Sequence, residues 1–318
     1  MRIVLVGFEG AQGLDIFGPA EVFAGANRSL GRIEYQVALC SEAGGQLRTT
    51  CGISVLSERL SRVRPRLGDT VLVVGGEEKA IRAALASVAL VRWLSNAAPV
   101  VRRIGSVCSG AFVLARAGIL DGLRATTHWS VCRELSVFRS QVTVEPDAIF
   151  VQEGKVWTSA GVTTGIDMSL SLVEQDFGRR VADSVAARLV VYARRPGFQS
   201  QFSETLISQT GADEALSRAF EGLRRQPARR ASVDQLARAA GMSRRTLHRR
   251  CVAEMGTTPA KLIERLCVEQ ARLLINRGLS AKVVAARSGF DNPVRMARAF
   301  QRTLGVSPSS YRALFSRD

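Results

Sequence analysis

Residues 285–312 read AARSGFDNPVRMARAFQRTLGVSPSSYR, and a related stretch, ARAAGMSRRTLHRRCVAEMGTTP, occupies residues 237–259. Gly241 of the earlier stretch recurs as Gly289 at an offset of 48, and Cys251 recurs as Phe300 at an offset of 49. A fixed offset of this kind indicates a duplicated supersecondary unit. The last third of the chain is therefore expected to contain two copies of one small helical motif.

Each copy has the pattern of a helix, a tight turn and a second helix. The glycine closes the first helix because it adopts a left-handed conformation at low cost. Ser243 in the first copy and Asp291 in the second are expected to cap the next helix by accepting a backbone N–H. In the second copy a one-residue insertion after Asp291 accounts for the change of offset.

The second helix of each copy has an apolar face and a cationic face. Residues four apart share a helix face, which directs Leu247 and Cys251 inward in one copy, and Met296 and Phe300 in the other. The opposite faces carry Arg245, His248 and Arg249, and Arg295, Arg298 and Arg302. Such a helix suits the major groove of DNA, although each arginine alone is also typical of a solvated face of an ordinary bundle.

The charge distribution favours an anionic partner for the same region. The 318 residues hold 44 Lys+Arg and 28 Asp+Glu, a formal net charge of +16. Residues 209–318 hold 21 of those basic and 9 of those acidic groups, so most of the excess lies there. A single helix over residues 259–277, about 28 Å long, would place the two motifs about one DNA turn apart.

Residues 212–318 resemble the DNA-binding domain of the AraC/XylS transcription regulators. The most diagnostic match is Ala285-x3-Gly289-Phe290, followed by Phe300, Gly305-x2-Pro308 and Tyr311-Arg312. Two mild departures are Cys251 where a Phe is usual, and Pro293 at the start of the second reading helix. The resemblance implies base-reading roles for Arg245, His248, Arg249, Val294, Arg295 and Arg298. It implies phosphate contacts for Arg244 and Arg302.

The first half of the chain alternates β-branched runs with amphipathic stretches, which predicts an open α/β sheet. The predicted parallel strands cover residues 3–8, 35–40, 70–74 and 100–107, with a helix over 77–96. Short strands are then expected at 141–144, 149–152 and 156–158, followed by helices over 167–177 and 180–192. Residues 194–211 break the periodicity and are predicted to be a linker between domains 1–193 and 212–318.

One segment of the first domain has the pattern of a chemical site. A strand ending at Val107 runs into Cys108-Ser109-Gly110 and then a helix, an elbow that exposes its central side chain at the sheet edge. A helix N-terminus there is expected to lower the thiol pKa. The Gly75-Gly76 pair is expected to present N–H groups like an oxyanion hole, and Asp15 is expected to reach Cys108.

Together Asp15, Gly75, Gly76, Cys108 and the run Thr126-Thr127-His128-Trp129 resemble the PfpI/ThiJ group. The resemblance implies a flavodoxin-like, class I glutamine-amidotransferase-like fold. Joined to an AraC-type tail, the chain resembles the GlxA family of transcription regulators. That family implies sequence-specific binding of double-stranded DNA, a small-molecule effector and a homodimer. RNA polymerase would be a further partner if the protein activates transcription.

Whether the first domain is catalytic depends on the base that serves Cys108. In protease-like relatives a His follows the nucleophile, and here that place is Ser109. His128 is the alternative base. Three interpretations of Cys108 stay open: a vestigial elbow in a ligand pocket formed with Asp15, Gly75, Gly76, Ser109 and His128, a redox- or electrophile-sensing thiol, or residual hydrolase, hydratase or glyoxalase activity. The first is favoured, so we predict a regulator with no catalytic residues.

Several classes of protein are disfavoured. The six cysteines form no CxxC pair, so no disulfide framework, metal site or cofactor is expected, and Cys40, Cys51, Cys132 and Cys267 are interpreted as small core residues. No apolar run approaches the roughly 18 residues of a membrane span. The first strand directly follows Met1, which is unlike a signal peptide, so a cytoplasmic location is expected. A non-specific nucleoid protein would need the charge but not two capped reading helices.

Overall fold

The computed structural model describes residues 1–191, 195, 197, 201, 216, 219, 232–255, 257–304 and 307–315. The chain divides into two compact units, Met1–Gln201 and Phe202–Asp318. Most of the predicted linker, 194–211, lies outside the described residues, as do Gly256 and Gly305 of the predicted repeat. The linker therefore stays a prediction, and each unit is described by itself.

The first unit is built on an eight-stranded sheet of order β3-β4-β2-β1-β5-β6-β10-β9. Its edge strands β3 and β9 are antiparallel to their neighbours, and the strands between them are parallel to one another. A separate parallel pair is formed by β7 and β8. The strands are β1 Arg2–Val6, β2 Gln36–Ser41, β3 Gly45–Arg48, β4 Ser54–Arg59, β5 Thr70–Val73, β6 Arg103–Val107, β7 Arg124–Ala125, β8 Thr143–Val144, β9 Phe150–Glu153 and β10 Val156–Ser159.

Helices cover both faces of this sheet. One apolar core packs Ile104 and Val71 against Leu94 and Leu114, and the other packs Leu5 against helices that include Phe23. The helices are α1 Gly13–Leu30, α2 Glu78–Ala86, α3 Val88–Ala97, α4 Ala111–Arg116, α5 Cys132–Phe138, α6 Thr164–Phe177 and α7 Arg179–Arg188. The predicted flavodoxin-like sheet domain is thus confirmed.

Two details of the first unit differ from the sequence prediction. The helix predicted over 77–96 is two helices, because the Ser87 hydroxyl accepts the N–H of Leu90 at 3.0 Å and starts α3. The sequence also did not predict the β3–β4 hairpin. Its strands are mostly exposed and carry few apolar residues, so they lack the buried β-branched run on which the other strands were predicted.

The second unit contains two helix-turn-helix motifs on either side of one long helix, as the resemblance predicted. Gly241 and Gly289 close the first helix of each motif with φ of 63° and 83°. The predicted connecting helix is confirmed as α10. The helices are α8 Val233–Ala239, α9 Arg244–Met255, α10 Pro259–Asn276, α11 Ala281–Arg287, α12 Pro293–Leu304 and α13 Pro308–Phe315. We call α9 and α12 the reading helices.

The caps of the two reading helices are not equivalent. The Ser243 hydroxyl accepts the N–H of Thr246 at 3.1 Å, as predicted. In the second motif the capping acceptor is the side-chain oxygen of Asn292, which receives the N–H of Arg295 at 2.9 Å. The prediction that Asp291 is the cap was wrong, because the inserted residue moves the start of the helix by one position.

Three negative features concern the described part of the chain. No described helix combines the length and apolarity needed to cross a bilayer. The described residues include no group of three His, Cys, Asp or Glu side chains placed to hold a metal ion. All six cysteines are described and none forms a disulfide. Cys51 is exposed, so its interpretation as a core residue was wrong.

Candidate functional site

Cys108 occupies a strained elbow between β6 and α4. Its φ is 56°, a left-handed conformation that non-glycine residues rarely adopt, and a short 3-10 turn, Cys108–Gly110, follows it. Two glycines make room for it: a Cβ added to Gly75 would lie 2.7 Å from the Cys108 Cβ, and one added to Gly161 would lie 2.1 Å from it. The glycine backbones therefore fix the position of the thiol.

Asp15 is fully buried beside this elbow and accepts two backbone N–H groups. Its Oδ2 accepts from Gly75 at 3.0 Å, and its Oδ1 accepts from Val162 at 2.8 Å. Val162 also has a left-handed φ, of 52°, so two of the three strained non-glycine residues in the described chain meet at one site. Burial raises the pKa of Asp15 to about 6, and the two N–H groups offset only part of this rise.

The charge state of Cys108 is the opposite of the sequence prediction. Burial, and next to it the negative charge of Asp15, together raise the pKa of the Cys108 thiol to about 12. Hydrogen bonds from the backbone and side chain of Ser109 lower it by less. The prediction that a helix N-terminus would favour the thiolate was therefore wrong, since burial and a like charge outweigh the helix. At neutral pH the group is a thiol.

The predicted oxyanion hole is occupied by the protein itself. The N–H of Gly75 is donated to Asp15, and that of Gly76 is donated to the Ser109 hydroxyl at 3.1 Å. The Ser109 hydroxyl in turn donates to the Gly76 carbonyl at 3.0 Å. Both N–H groups thus have partners, which corrects the expectation that they are presented to a ligand.

His128 lies near the site but its ring is directed to another partner. Its Nδ1 is 2.8 Å from the Ser130 hydroxyl, and burial lowers its pKa. No hydrogen bond within the described part of the chain joins His128 to Cys108. The neighbouring Thr127 makes that connection instead, since its hydroxyl donates to the Cys108 carbonyl at 2.9 Å. The site therefore places a protonated thiol next to a buried carboxyl group, with no imidazole base attached.

The reading helices of the second unit present the predicted faces. Leu247 and Cys251 of α9 are fully buried, as are Met296 and Phe300 of α12. The residues predicted to contact bases or phosphates are all exposed: Arg244, Arg245, His248, Arg249, Val294, Arg295, Arg298 and Arg302. Each helix thus packs through one face and exposes a cationic face of the kind that contacts a polyanion.

Acidic neighbours hold three of these arginines. Arg244 is paired with Asp234 of α8, and Arg295 is paired with Asp291. Arg302 is paired with Glu264 of α10 at 2.7 Å.

By contrast, Arg245, Arg249 and Arg298 have no ion pair with another described residue. A groove of about 480 Å³ beside α12 is lined in part by Glu264, Arg295, Arg298 and Arg302. The sequence did not predict these acidic partners, because nothing in the spacing of Asp234 or Glu264 points to a specific arginine.

Comparison with known proteins agrees with both units. Residues 1–175 match the DJ-1/PfpI family, and residues 236–314 match a helix-turn-helix domain. The HTH-type transcriptional regulator CdhR of Pseudomonas aeruginosa is 30% identical over 282 residues, which cover 88% of this chain and 82% of that protein. The chain belongs to the GlxA family of HTH-type transcriptional regulators. It is a sequence-specific DNA-binding regulator with an AraC-type reading domain.

Other relatives of this GlxA-family regulator share the architecture or one part of it. The HTH-type transcriptional regulator GlxA of Rhizobium meliloti is 29% identical over 297 residues, covering 92% of this chain and 89% of that one. The isonitrile hydratase of Pseudomonas putida is 30% identical over 226 residues, covering 70% of this chain and 92% of that enzyme. A ThiJ/PfpI family protein from Pseudomonas syringae has a similar fold, with a TM-score of 0.55, 20% identity, and coverage of 76% and 90%.

The sequence did not predict the contacts of several residues at or near the site. Val162 supplies an N–H to Asp15, yet a left-handed valine leaves no signal in a sequence. Thr127 was noticed as part of a motif, but its bond to the Cys108 carbonyl needed the structure. Arg195 and Gln201 lie in the predicted linker and domain boundary, and both make several hydrogen bonds to the first unit.

Proposed function

We propose that the regulator senses a small molecule at the Cys108 site and that this site binds its ligand without turning it over. The observation that supports this is the state of Cys108: a thiol of raised pKa, next to a buried carboxyl group, with the nearby N–H groups already bonded. A nucleophilic cysteine needs a thiolate or an attached base, and an acyl transition state needs free donors. Such a site is poorly suited to attacking a ligand, so the proposed role is binding without turnover.

Ligand binding would regulate transcription by changing how the two reading helices bind DNA. Arg245, His248 and Arg249 of α9, and Val294, Arg295 and Arg298 of α12, are proposed to read bases. Arg244 and Arg302 are proposed to contact phosphates once their acidic partners release them. A ligand then acts through a difference in affinity for DNA-competent and DNA-incompetent states. The protein would act on DNA in the cytoplasm, and RNA polymerase would be a partner if it activates transcription.

A homodimer is proposed through the first unit. This unit exposes large apolar side chains on α1 and around the β3–β4 hairpin, among them Phe17, Ile53 and Leu56. Exposed apolar area of this kind favours protein–protein contact. Light scattering of the full chain is expected to give twice the monomer mass, and Leu56→Glu is expected to shift it toward the monomer.

The experiment for sensing starts from the DNA that the regulator binds. Genome-wide mapping of bound sites identifies an operator and the neighbouring genes, and the metabolites of those genes are then tested for an effect on operator affinity. The response is compared in Cys51→Ser and Cys51→Ser/Cys108→Ser chains, so that a thiol-reactive metabolite cannot act through the exposed Cys51. If the site only binds its ligand, the Cys51→Ser/Cys108→Ser variant should still respond to the metabolite. Its affinity for the metabolite should fall by less than about tenfold, since Ser preserves size and polarity.

A second candidate is hydration of a small substrate by Cys108. It is supported by the identity to isonitrile hydratase and by the position of Asp15 beside the thiol. Incubation with a simple alkyl isonitrile tests it. Turnover by the Cys51→Ser chain that disappears in Cys51→Ser/Cys108→Ser would establish the enzyme and contradict a purely binding site.

A further inference from the structure

The chain that leaves the first unit is attached to it at three described residues, which we call the exit segment: Arg195, Gly197 and Gln201. Arg195 donates its backbone N–H to Asp167 Oδ1 at 3.0 Å and its guanidinium to Asp167 Oδ2 at 2.6 Å. The same guanidinium donates to the Thr163 hydroxyl at 2.9 Å. The Asp167 side chain is 3% exposed and the Arg195 side chain 31%, so the carboxylate of this ion pair is buried while the guanidinium is partly exposed.

Gln201, the last residue of the first unit, is held at the other end of the exit segment. Its side-chain Nε2 lies 2.9 Å from the Thr127 carbonyl, 3.1 Å from the Thr126 hydroxyl and 3.1 Å from the Ala148 carbonyl. Its backbone N–H donates to the Asp147 carbonyl at 2.9 Å. Gly197 lies between the two ends, where its carbonyl accepts the N–H of Phe150 of β9 at 3.2 Å.

Each end of the exit segment is hydrogen-bonded to a loop that also contacts the Cys108 site. At the Gln201 end, Thr127 donates its hydroxyl to the Cys108 carbonyl at 2.9 Å. At the Arg195 end, Thr163 directly follows Val162, whose N–H binds Asp15, and Val162 follows Gly161, which packs directly on Cys108. A shift of either loop must therefore strain a bond to the exit segment or move that segment.

We propose that the exit segment couples the Cys108 site to DNA binding. A ligand bound at the site shifts residues 126–128 or 161–164. This shift changes the hydrogen bonds that attach Gln201 or Arg195, and the altered exit segment changes the affinity of the second unit for DNA. This inference rests on the sensing function proposed above for its natural trigger. The contacts that carry it are internal to the first unit.

A double-mutant cycle on the full chain, without ligand, tests the coupling. Thr127→Val removes the bond to the Cys108 carbonyl, and Gln201→Ala removes the attachment of the exit segment. Each variant alone is expected to change the Kd for a mapped operator duplex by at least about threefold, and the double variant is expected to match one single variant, because both act through one path. Hydrogen exchange of the peptide spanning residues 195–201 should quicken in each variant.

Control variants separate coupling from loss of structure. Gln152 and Gln175 form an exposed side-chain pair at 2.9 Å in the same unit, so Gln152→Ala and Gln175→Ala are expected to leave the Kd and the exchange of residues 195–201 unchanged. Thr127→Ser keeps the hydroxyl and is expected to behave like the natural chain. Additive effects of Thr127→Val and Gln201→Ala on Kd, or no effect of either, would overturn the proposal.

The outcome distinguishes this proposal from the sensing function. If no metabolite changes operator affinity but the cycle is non-additive, the coupling stands and the sensing function fails. If a metabolite changes the Kd equally in the natural chain and in Gln201→Ala, the sensing function stands and the coupling is overturned.

Discussion

The Cys108 site and the reading helices use polar groups in opposite ways. Around Cys108 the polar groups are buried, and Asp15, Gly75, Gly76 and Ser109 are bonded to one another. On α9 and α12 the charged groups are exposed, and their ion pairs lie at the surface, where they contribute little to stability. Substitutions in the first region should therefore change folding and pKa values, and those in the second should change DNA affinity with little effect on folding.

The largest expected effect is at Gly161. Gly161→Ala would place a Cβ 2.1 Å from the Cys108 Cβ at a φ of +94°. We expect the first unit to lose at least about 3 kcal/mol of unfolding free energy, since neither backbone can move away cheaply. Urea unfolding of the full chain measures this.

Gly154→Ala is the matched control. Gly154 also has a left-handed φ, of +58°, but a Cβ there meets nothing within 4 Å. It is expected to cost about 1 kcal/mol from backbone strain alone. Equal losses at the two positions would show that the packing against Cys108 is not tight.

The next effect is the pH dependence caused by Asp15. Its pKa is about 6 in the folded chain against 3.8 as the reference, so between these values the folded state binds more protons than the unfolded state. Stability therefore falls as the pH rises from about 4 to 7, by up to about 3 kcal/mol from this group. Asp15→Asn does not titrate and should lack this decline, although it forfeits one backbone hydrogen bond.

Denaturation curves at several pH values in that range, recorded for both chains, measure the difference. Asp121→Asn, at a group that lies near the surface, controls for the loss of one carboxylate. Parallel stability profiles for the natural chain and Asp15→Asn would contradict a raised pKa.

A smaller effect is expected for base recognition by Arg298. Arg298→Ala should weaken operator binding by about 1–3 kcal/mol and relax the preference at one base position, without changing the unfolding free energy of the chain. Binding to a set of operators with single substitutions measures both quantities. A uniform loss on every sequence would instead assign Arg298 to a phosphate.

The smallest effect is expected at the surface pair of Glu264 and Arg302. Arg302→Gln removes one proposed phosphate contact, so the slope of log affinity against log salt should become shallower by about 0.9. Arg82→Gln removes the same charge from an exposed pair in the first unit and should leave the slope unchanged. If Arg302→Gln leaves the slope unchanged, Arg302 does not reach a phosphate.

The sequence predicted buried elements better than exposed ones. Strand β5, with the run Thr70–Val73, is buried throughout and was predicted from its β-branched residues. The hairpin strands Gly45–Arg48 and Ser54–Arg59 were missed, since an exposed edge strand needs no apolar pattern. The reading helices were predicted because duplication makes each copy support the other.

For the Cys108 site, the sequence predicted that Asp15, Gly75 and Cys108 lie together, but it missed Val162 and predicted the wrong charge state for the thiol. Asp15, Gly75 and Cys108 came into one prediction because each follows a predicted parallel strand, and such positions meet at one edge of the sheet. The direction of the thiol pKa depends on how far burial outweighs a helix N-terminus, which spacing does not encode. The prediction of a cap at Asp291 instead of Asn292 was wrong for a similar reason, because the exact start of a helix depends on one inserted residue.

The two reading helices pack through different residues, which has a consequence for engineering. Leu247 and Cys251 belong to a cluster with Leu236 and Leu216, whereas Phe300 packs edge-on against Tyr311 at 5.5 Å. The exposed positions of one reading helix can therefore be substituted without changing the packing of the other. Such a substitution should change the base preference in one half of the operator and leave recognition of the other half intact.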